Sequence, residues 1–181
     1  AGDFLIIRTN FFGWGPPHKP SLSDWILTRL RAGAEVPGFK DVYFTPILVN
    51  DLIERINVLM VTGARGLFHV SGADRVSKYE FARRLAKEFD ENPDQVRPIR
   101  VVEAQLRAPR PLDMSLDGNM AEQEIKKKLL DWSLDGSQAD KLFNFYPAKL
   151  EFGLAQLKGL EVRKWPDQLQ RMLVQPRQVS A

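Results

Sequence analysis

The stretch Phe4-Leu5-Ile6-Ile7-Arg8-Thr9-Asn10-Phe11-Phe12-Gly13 decides the fold. Its first four residues are an unbroken apolar run, the pattern of a parallel strand covered on both faces. Only Ala1-Gly2-Asp3 stands before it. The sheet that such a strand joins is therefore expected upstream, with the chain beginning in mid-fold. After Gly13 come Trp14-Gly15-Pro16-Pro17-His18-Lys19-Pro20, where glycine and proline break any regular pattern and predict a loop.

Helices and short strands alternate from there. Ser21, with Asp24 three residues on, predicts a helix start in an approximate capping box. Trp25, Ile26, Leu27 and Leu30 form its apolar face, and Gly33 marks its stop. Val42 to Val49 reads as extended, broken at Pro46. Asn50 is the expected cap of a helix with the stripe Leu52, Ile53, Ile56, Leu59 and Met60, ending at Gly63. Gly66 to Gly72 reads as a short buried strand. Ser77 and Glu80 fit a capping box, opening a helix with Phe81, Ala82, Leu85 and Phe89 inward and Asn92-Pro93 beyond its end. Val96 to Val102 is expected as a strand that Pro98 places at an edge. Arg107 to Asp113 is an irregular polar loop.

The last third carries a repeat. Asp113-Met-Ser-Leu-Asp-Gly-Asn-Met-Ala121 returns as Asp131-Trp-Ser-Leu-Asp-Gly-Ser-Gln-Ala139, and both copies read as helix openings. Two copies are too few for a solenoid, so a local duplication or insertion is the economical reading. Gln156–Leu160 and Trp165–Leu173 read as terminal helices, with a frayed tail after Pro176. The alternation is α/β, with too few strands for a complete doubly wound sheet.

Composition narrows the function classes. The 181 residues suffice for one domain with a real core, and 44% hydrophobic with 27% charged residues argues against global disorder. A net charge of +3, with no basic block interleaved with aromatics, argues against nucleic-acid binding. No cysteine is present, which excludes disulfides, thiolate metal sites and cysteine nucleophiles and suits the cytoplasm. His18 reads as solvent-exposed and His69 as a core histidine, so no metal site is expected. Lys126-Lys127-Lys128 reads as a solvated helix face, and no apolar run is long enough to span a membrane.

Four segments, in order, resemble the extended short-chain dehydrogenase/reductase family, close to its dTDP-4-dehydrorhamnose reductase branch. Phe4–Thr9 with Asn10-Phe11-Phe12-Gly13 resembles the family's strand after the catalytic helix and its polar turn. Phe44-Thr45-Pro46-Ile47-Leu48-Val49-Asn50-Asp51-Leu52 resembles its late strand-to-helix signature. Gly66–Gly72 followed by Ser77-Lys78-Tyr79-Glu80-Phe81-Ala82 resembles the last sheet strand and its helix. Arg110-Pro111-Leu112-Asp113-Met114-Ser115-Leu116-Asp117 resembles the branch's substrate-side loop. The match runs from about Asp3 to Asp117 and resumes at Ser133–Leu157, where the second repeat copy fits as well as the first.

The resemblance implies an α/β fold: the C-terminal part of a Rossmann-type sheet plus a substrate-binding lobe. It implies residues 1–117 as a C-terminal, substrate-binding half, 118–138 as an insertion or duplicated segment, and 139–181 as terminal helices and tail. The family's Gly-rich cofactor turn is missing. Val61-Thr62-Gly63-Ala64-Arg65-Gly66-Leu67-Phe68-His69 imitates it but follows a predicted helix, precedes a strand, and has His69 where the third glycine should be. The catalytic Tyr/Lys pair, four residues apart, is missing too, because Tyr79 has Arg83 at that spacing, Tyr43 has Ile47, and Tyr146 has Lys149 one residue short. No catalytic residue is therefore assigned.

Thr9 and Asn10 are expected to contact nicotinamide, with Asn10, Phe11, Trp14, Arg107, Arg110 and Asp113 on the substrate side. Packing or turn roles are the competing readings for Asn10, Phe11 and Trp14, and a solvated surface for the arginines. Guanidinium groups in a Pro-rich loop suit a diphosphate. The expected activity is reduction of a nucleotide-diphosphate sugar with NAD(P)H, once a dinucleotide-binding half completes the chain. A separate N-terminal half or a homo-oligomer partner would supply the missing surface. A non-catalytic binding or regulatory subunit, or an inactive remnant, is the alternative.

Overall fold

The computed structural model describes residues 4–133 and 148–161. In chain order it contains β1 (Leu5–Arg8), β2 (Phe11–Phe12), α1 (Leu22–Arg31), β3 (Val36–Phe39), β4 (Tyr43–Phe44), β5 (Ile47–Leu48) and α2 (Val49–Val61). Then follow β6 (Gly66–His69), β7 (Val76–Ser77), α3 (Lys78–Glu88), β8 (Val96–Ile99), α4 (Asn119–Ser133) and α5 (Leu150–Glu161). Three strand pairs are parallel: β1 with β6, β2 with β5, and β3 with β8. The fourth, β4 with β7, is antiparallel. Parallel strands joined through helices give the α/β architecture that the alternating pattern implied.

Two apolar clusters hold these pieces. In the first, Phe12, Phe44, Phe81 and Leu85 meet Leu30 of α1 and Leu157 of α5. Phe81 takes an edge-on contact from Phe12 and another from Phe44, each with centroids 5.4 Å apart. In the second, Leu59 of α2, Phe68 of β6 and Ile125 of α4 pack together. Ala121 and Ile125 lie within the segment expected as an insertion, yet both are fully buried.

Both helix starts read from serine are present. Ser21 accepts from the Asp24 amide while the Asp24 carboxylate accepts from the Ser21 amide, and Ser77 accepts from the Glu80 amide. The α2 start differs from expectation. The helix begins at Val49 with Leu48 as its cap and no side-chain cap bond, so Asn50 lies inside its first turn. β5 runs straight into α2 because the Ile47 amide is held by the Asn10 carbonyl at 3.0 Å. Leu52 and Leu59 are buried as expected, but Ile53 and Met60 face outward. β8 stops at Ile99 rather than Val102. The Glu103 carboxylate takes the Arg100 amide and the Asp41 carboxylate takes the Val101 amide, turning the chain into a 3-10 turn at Val101–Ala104.

The first repeat copy works as a helix opening: the Asp117 carboxylate accepts from the Asn119 amide as α4 begins. Asp131–Ser133 of the second copy are the end of α4, and the rest of that copy lies outside the described residues, as does the helix expected at Trp165–Leu173. Val61 to Gly66 joins a helix to a strand, the context that disqualified it as a cofactor turn. No described helix is long and apolar enough to cross a membrane.

Candidate functional site

A groove of 560 Å³ opens where α1, β3, α3 and the loop after β8 meet. That size suits a small-molecule ligand. The capping box at Ser21 fixes how α1 enters, reinforced by a bond from the Gly15 amide to the Asp24 carboxylate at 2.8 Å. With this start set, Leu22, Trp25 and Ile26 line the groove one helical turn apart. Trp25 was expected in the core. Instead it stands at the groove, substantially exposed, with the Arg29 guanidinium 5.5 Å from its ring centre. Phe39 of β3 and Leu106 of the loop add further apolar wall.

Two cations interrupt this apolar lining: Arg110 and Lys78. Arg110 is exposed on the loop. Lys78 is the first residue of α3, and its ammonium lies 3.3 Å from the centre of the Phe44 ring. Burial pushes its pKa down to about 8. Among the described residues no carboxylate pairs with it.

The substrate-side loop is pinned beside the groove by backbone contacts. The Tyr43 amide donates to Leu112 and the Met114 amide donates back to Tyr43, at 2.8 and 2.9 Å. The Asn10 side-chain amide donates to the Met114 carbonyl at 2.8 Å. Met114 itself lines the groove. Asn10 thus helps to hold the loop in place. Asp113 is exposed, paired with Arg75 at 2.7 Å, while Arg75 lies 4.0 Å over the Tyr43 ring.

The remaining residues singled out from sequence divide sharply. Thr9 directly follows β1, with its hydroxyl buried and without a hydrogen-bond partner among the described residues. Phe11 points outward, and Phe12 goes into the core. Trp14 donates its ring N–H to the Leu157 carbonyl at 3.1 Å and meets Phe89 edge-on at 5.7 Å. It packs against the α3–α5 core. Arg107 is exposed and does not line the groove. Of the site residues singled out from sequence, Arg110 alone lines the groove; Asn10 and Asp113 make their bonds beside it, and Thr9, Phe11, Trp14 and Arg107 lie outside its lining. Sequence reasoning missed Lys78, Trp25 and Leu106. The signal available for Lys78 was its position directly after a capping serine, an unfavourable place for a cation.

A second cavity of 360 Å³ lies at the start of α4, walled by Thr45, Ser71, Leu116, Asp117 and Glu122 among others. Its polar groups are largely engaged, since Thr45 accepts from the Leu116 amide and Ser71 donates to the Leu116 carbonyl. No cluster of three or more metal-ligating side chains occurs among the described residues.

Comparison with known proteins gives the family and the fold. A family model described as the RmlD substrate binding domain matches residues 2–141. A dTDP-4-dehydrorhamnose reductase from Bacillus anthracis, solved in complex with NADP, superposes with a TM-score of 0.64 at 23% identity, covering 85% of this chain and 47% of that one. A hypothetical dTDP-4-dehydrorhamnose reductase from Sulfolobus tokodaii is 31% identical over 67% of this chain and 41% of its own, with a TM-score of 0.57. DesIV, a dTDP-glucose 4,6-dehydratase from Streptomyces venezuelae solved with NAD and TYD bound, reaches 0.61 at 20% identity, covering 90% and 44%. A search of curated proteins finds no match. The chain spans less than half the length of these solved relatives. A family match over most of the chain, on a fold shared with these enzymes, makes it a member of the RmlD substrate-binding-domain family within the short-chain dehydrogenase/reductase superfamily.

Proposed function

We propose that this chain is the substrate-binding half of an NAD(P)H-dependent reductase acting on a dTDP-linked keto sugar. The observation that carries the reading is the groove: an apolar slot walled by Trp25, Phe39 and Leu106, with Arg110 on the loop that resembles the substrate side of these reductases. The apolar walls suit a nucleobase, and the guanidinium suits a diphosphate. Asn10 serves by holding the Met114 carbonyl, and with it the loop, in place.

The fit to a nicotinamide cofactor is limited to one end. The orphaned Thr9 hydroxyl just after β1 is a polar atom in want of a partner, as a nicotinamide or sugar contact requires. The described residues contain no Gly-rich turn between a strand and a following helix for the pyrophosphate. Nicotinamide would supply hydride to the sugar carbonyl. The proton donor is expected on a complementary dinucleotide-binding half, because the resemblance puts the family's Tyr/Lys pair upstream of Phe4; Tyr79 of α3, which accepts a hydrogen bond from Arg83 at 3.2 Å, is not that pair. The lack of that pair equally suits a non-catalytic binding or regulatory subunit.

The test is reconstitution. The chain is co-expressed with the dinucleotide-binding half of a dTDP-4-dehydrorhamnose reductase, and NADPH consumption is followed with a dTDP-4-keto sugar. Turnover that needs both halves and the sugar is the expected result. A pair that assembles, binds dTDP-sugar and does not consume NADPH favours the subunit. Failure of the chain to bind dTDP-sugar in any form overturns both readings.

A further inference from the structure

Lys78 is placed where electrostatics disfavours a cation. As the first residue of α3 it sits at the positive end of an 11-residue helix. It lines a mostly apolar groove, and burial disfavours its charged form. Other cations of the same helix are compensated: Arg84 pairs with Glu80, and Arg83 pairs with Asp94 at 3.4 Å. Nearby Arg75 pairs with Asp113. Lys78 has no carboxylate among the described residues and rests only on the face of Phe44. A ring face supports a cation and holds it in position, but it leaves the ammonium's donors unsatisfied. Methionine would fill the same space without these costs.

We propose that Lys78 is a specificity-determining residue of the groove, its ammonium holding the diphosphate of the bound nucleotide so that the site selects nucleoside diphosphates over nucleosides. The inference rests on reading the groove as the nucleotide-sugar site and adds a residue to it. Lys78 and Arg110 come from different elements, α3 and the loop after β8, and line the same groove. An anion entering there meets both cations and the amino end of α3 together. Of the two, Lys78 is the less solvated, so its attraction is the less screened by water. Arg110, exposed, contributes forked geometry more than field. A diphosphate has oxygens enough for two separate cations, whereas a nucleoside has no charge for either.

The experiment is calorimetric titration of the full 181-residue chain with dTDP, thymidine and inorganic pyrophosphate, for the wild type, K78M and K78R. The wild type is expected to bind dTDP well above thymidine. K78M should lose roughly tenfold or more of dTDP affinity, the scale of one charge-assisted hydrogen bond, with thymidine unchanged. K78R should keep most of the preference, a rescue that a packing role would not produce. Circular dichroism melts of each variant confirm that the fold persists. If K78M keeps the wild-type ratio of dTDP to thymidine affinity, Lys78 does not hold the diphosphate, although the groove still binds nucleotide. If the wild type binds neither thymidine nor dTDP, the groove reading itself fails and this inference fails with it.

Discussion

Lys78 also makes a prediction in the absence of ligand. Its pKa falls from an ordinary 10.5 to about 8 because burial disfavours the charged form. The native state therefore bears a cost below pH 8. That cost disappears as pH rises from 8 towards 10.5, where the unfolded chain too begins to lose the proton. K78M removes the charge, so it should stabilise the free protein by about 1 kcal/mol near pH 7, a figure reduced for partial exposure. The gain should shrink near pH 10. Urea denaturation at the two pH values measures both numbers, and a destabilised K78M at neutral pH would contradict the assignment of cost. At the opposite extreme of tolerance stands Gly72. A Cβ there would lie 2.0 Å from the Pro46 carbonyl oxygen, a backbone atom. Gly72→Ala should cost about 2–3 kcal/mol in a thermal or chemical melt, because the chain after β6 must be pushed off the turn before β5. Gly33→Ala should cost only about 1–2 kcal/mol, since Gly33 has a φ of 69° but open space around it.

Between elements, the contact with most at stake is the one joining α2 to α4. Arg55 is 3% exposed, and its guanidinium donates to the Glu122 carboxylate at 2.8 Å. Removing the acid leaves a buried cation with fewer partners, so Glu122→Ala should destabilise the protein by about 2 kcal/mol. Replacing the exposed Glu54 on the same helix should stay within about 0.5 kcal/mol. Equal losses for the two would show that the buried pair contributes nothing special. Elements were also the scale at which the sequence was easiest to read. Ser21, Ser77, Phe81 and Leu85 signal helix starts and faces through bonds and periodicities that span only a few residues. Asn50 failed as a cap because the strand before α2 is tied to Asn10, some forty residues upstream, a constraint that no local pattern carries. The groove that Lys78 lines was illegible for the same reason, although its place after a capping serine was not. The groove around it is assembled from α1, β3 and the loop after β8, so its isolation exists only in three dimensions. The contacts of Trp14 with Phe89 and Leu157 were equally out of reach of local pattern, since both residues are remote in sequence.

Over the whole molecule, the feature that most needs an explanation is the β1–β6 ladder. Ile7 lies opposite Phe68 in register, and both pack inward against the second apolar cluster. The alternate residues point the other way: Phe4, Ile6 and Leu67 are 51%, 49% and 45% exposed, with Ile6 directly opposite Leu67. Period-two alternation makes this one continuous apolar face. Parallel strands are almost always covered on both faces, and an uncovered apolar face invites association. On the function proposed above, a complementary dinucleotide-binding half is the occupant to test on this face. Replacing Ile6 and Leu67 together with threonine keeps strand propensity while removing apolar surface. The double variant should leave the melting behaviour of the chain nearly unchanged, because both side chains are half exposed to begin with. It should nevertheless reduce self-association of the isolated chain in sedimentation velocity, and weaken capture of a supplied dinucleotide-binding half by tenfold or more, on the order of 25 cal/mol for each Å² of lost apolar contact. A double variant that assembles with that half as well as the wild type would mean that this face is not the joining surface, and that the alternation of β1 and β6 serves some other neighbour.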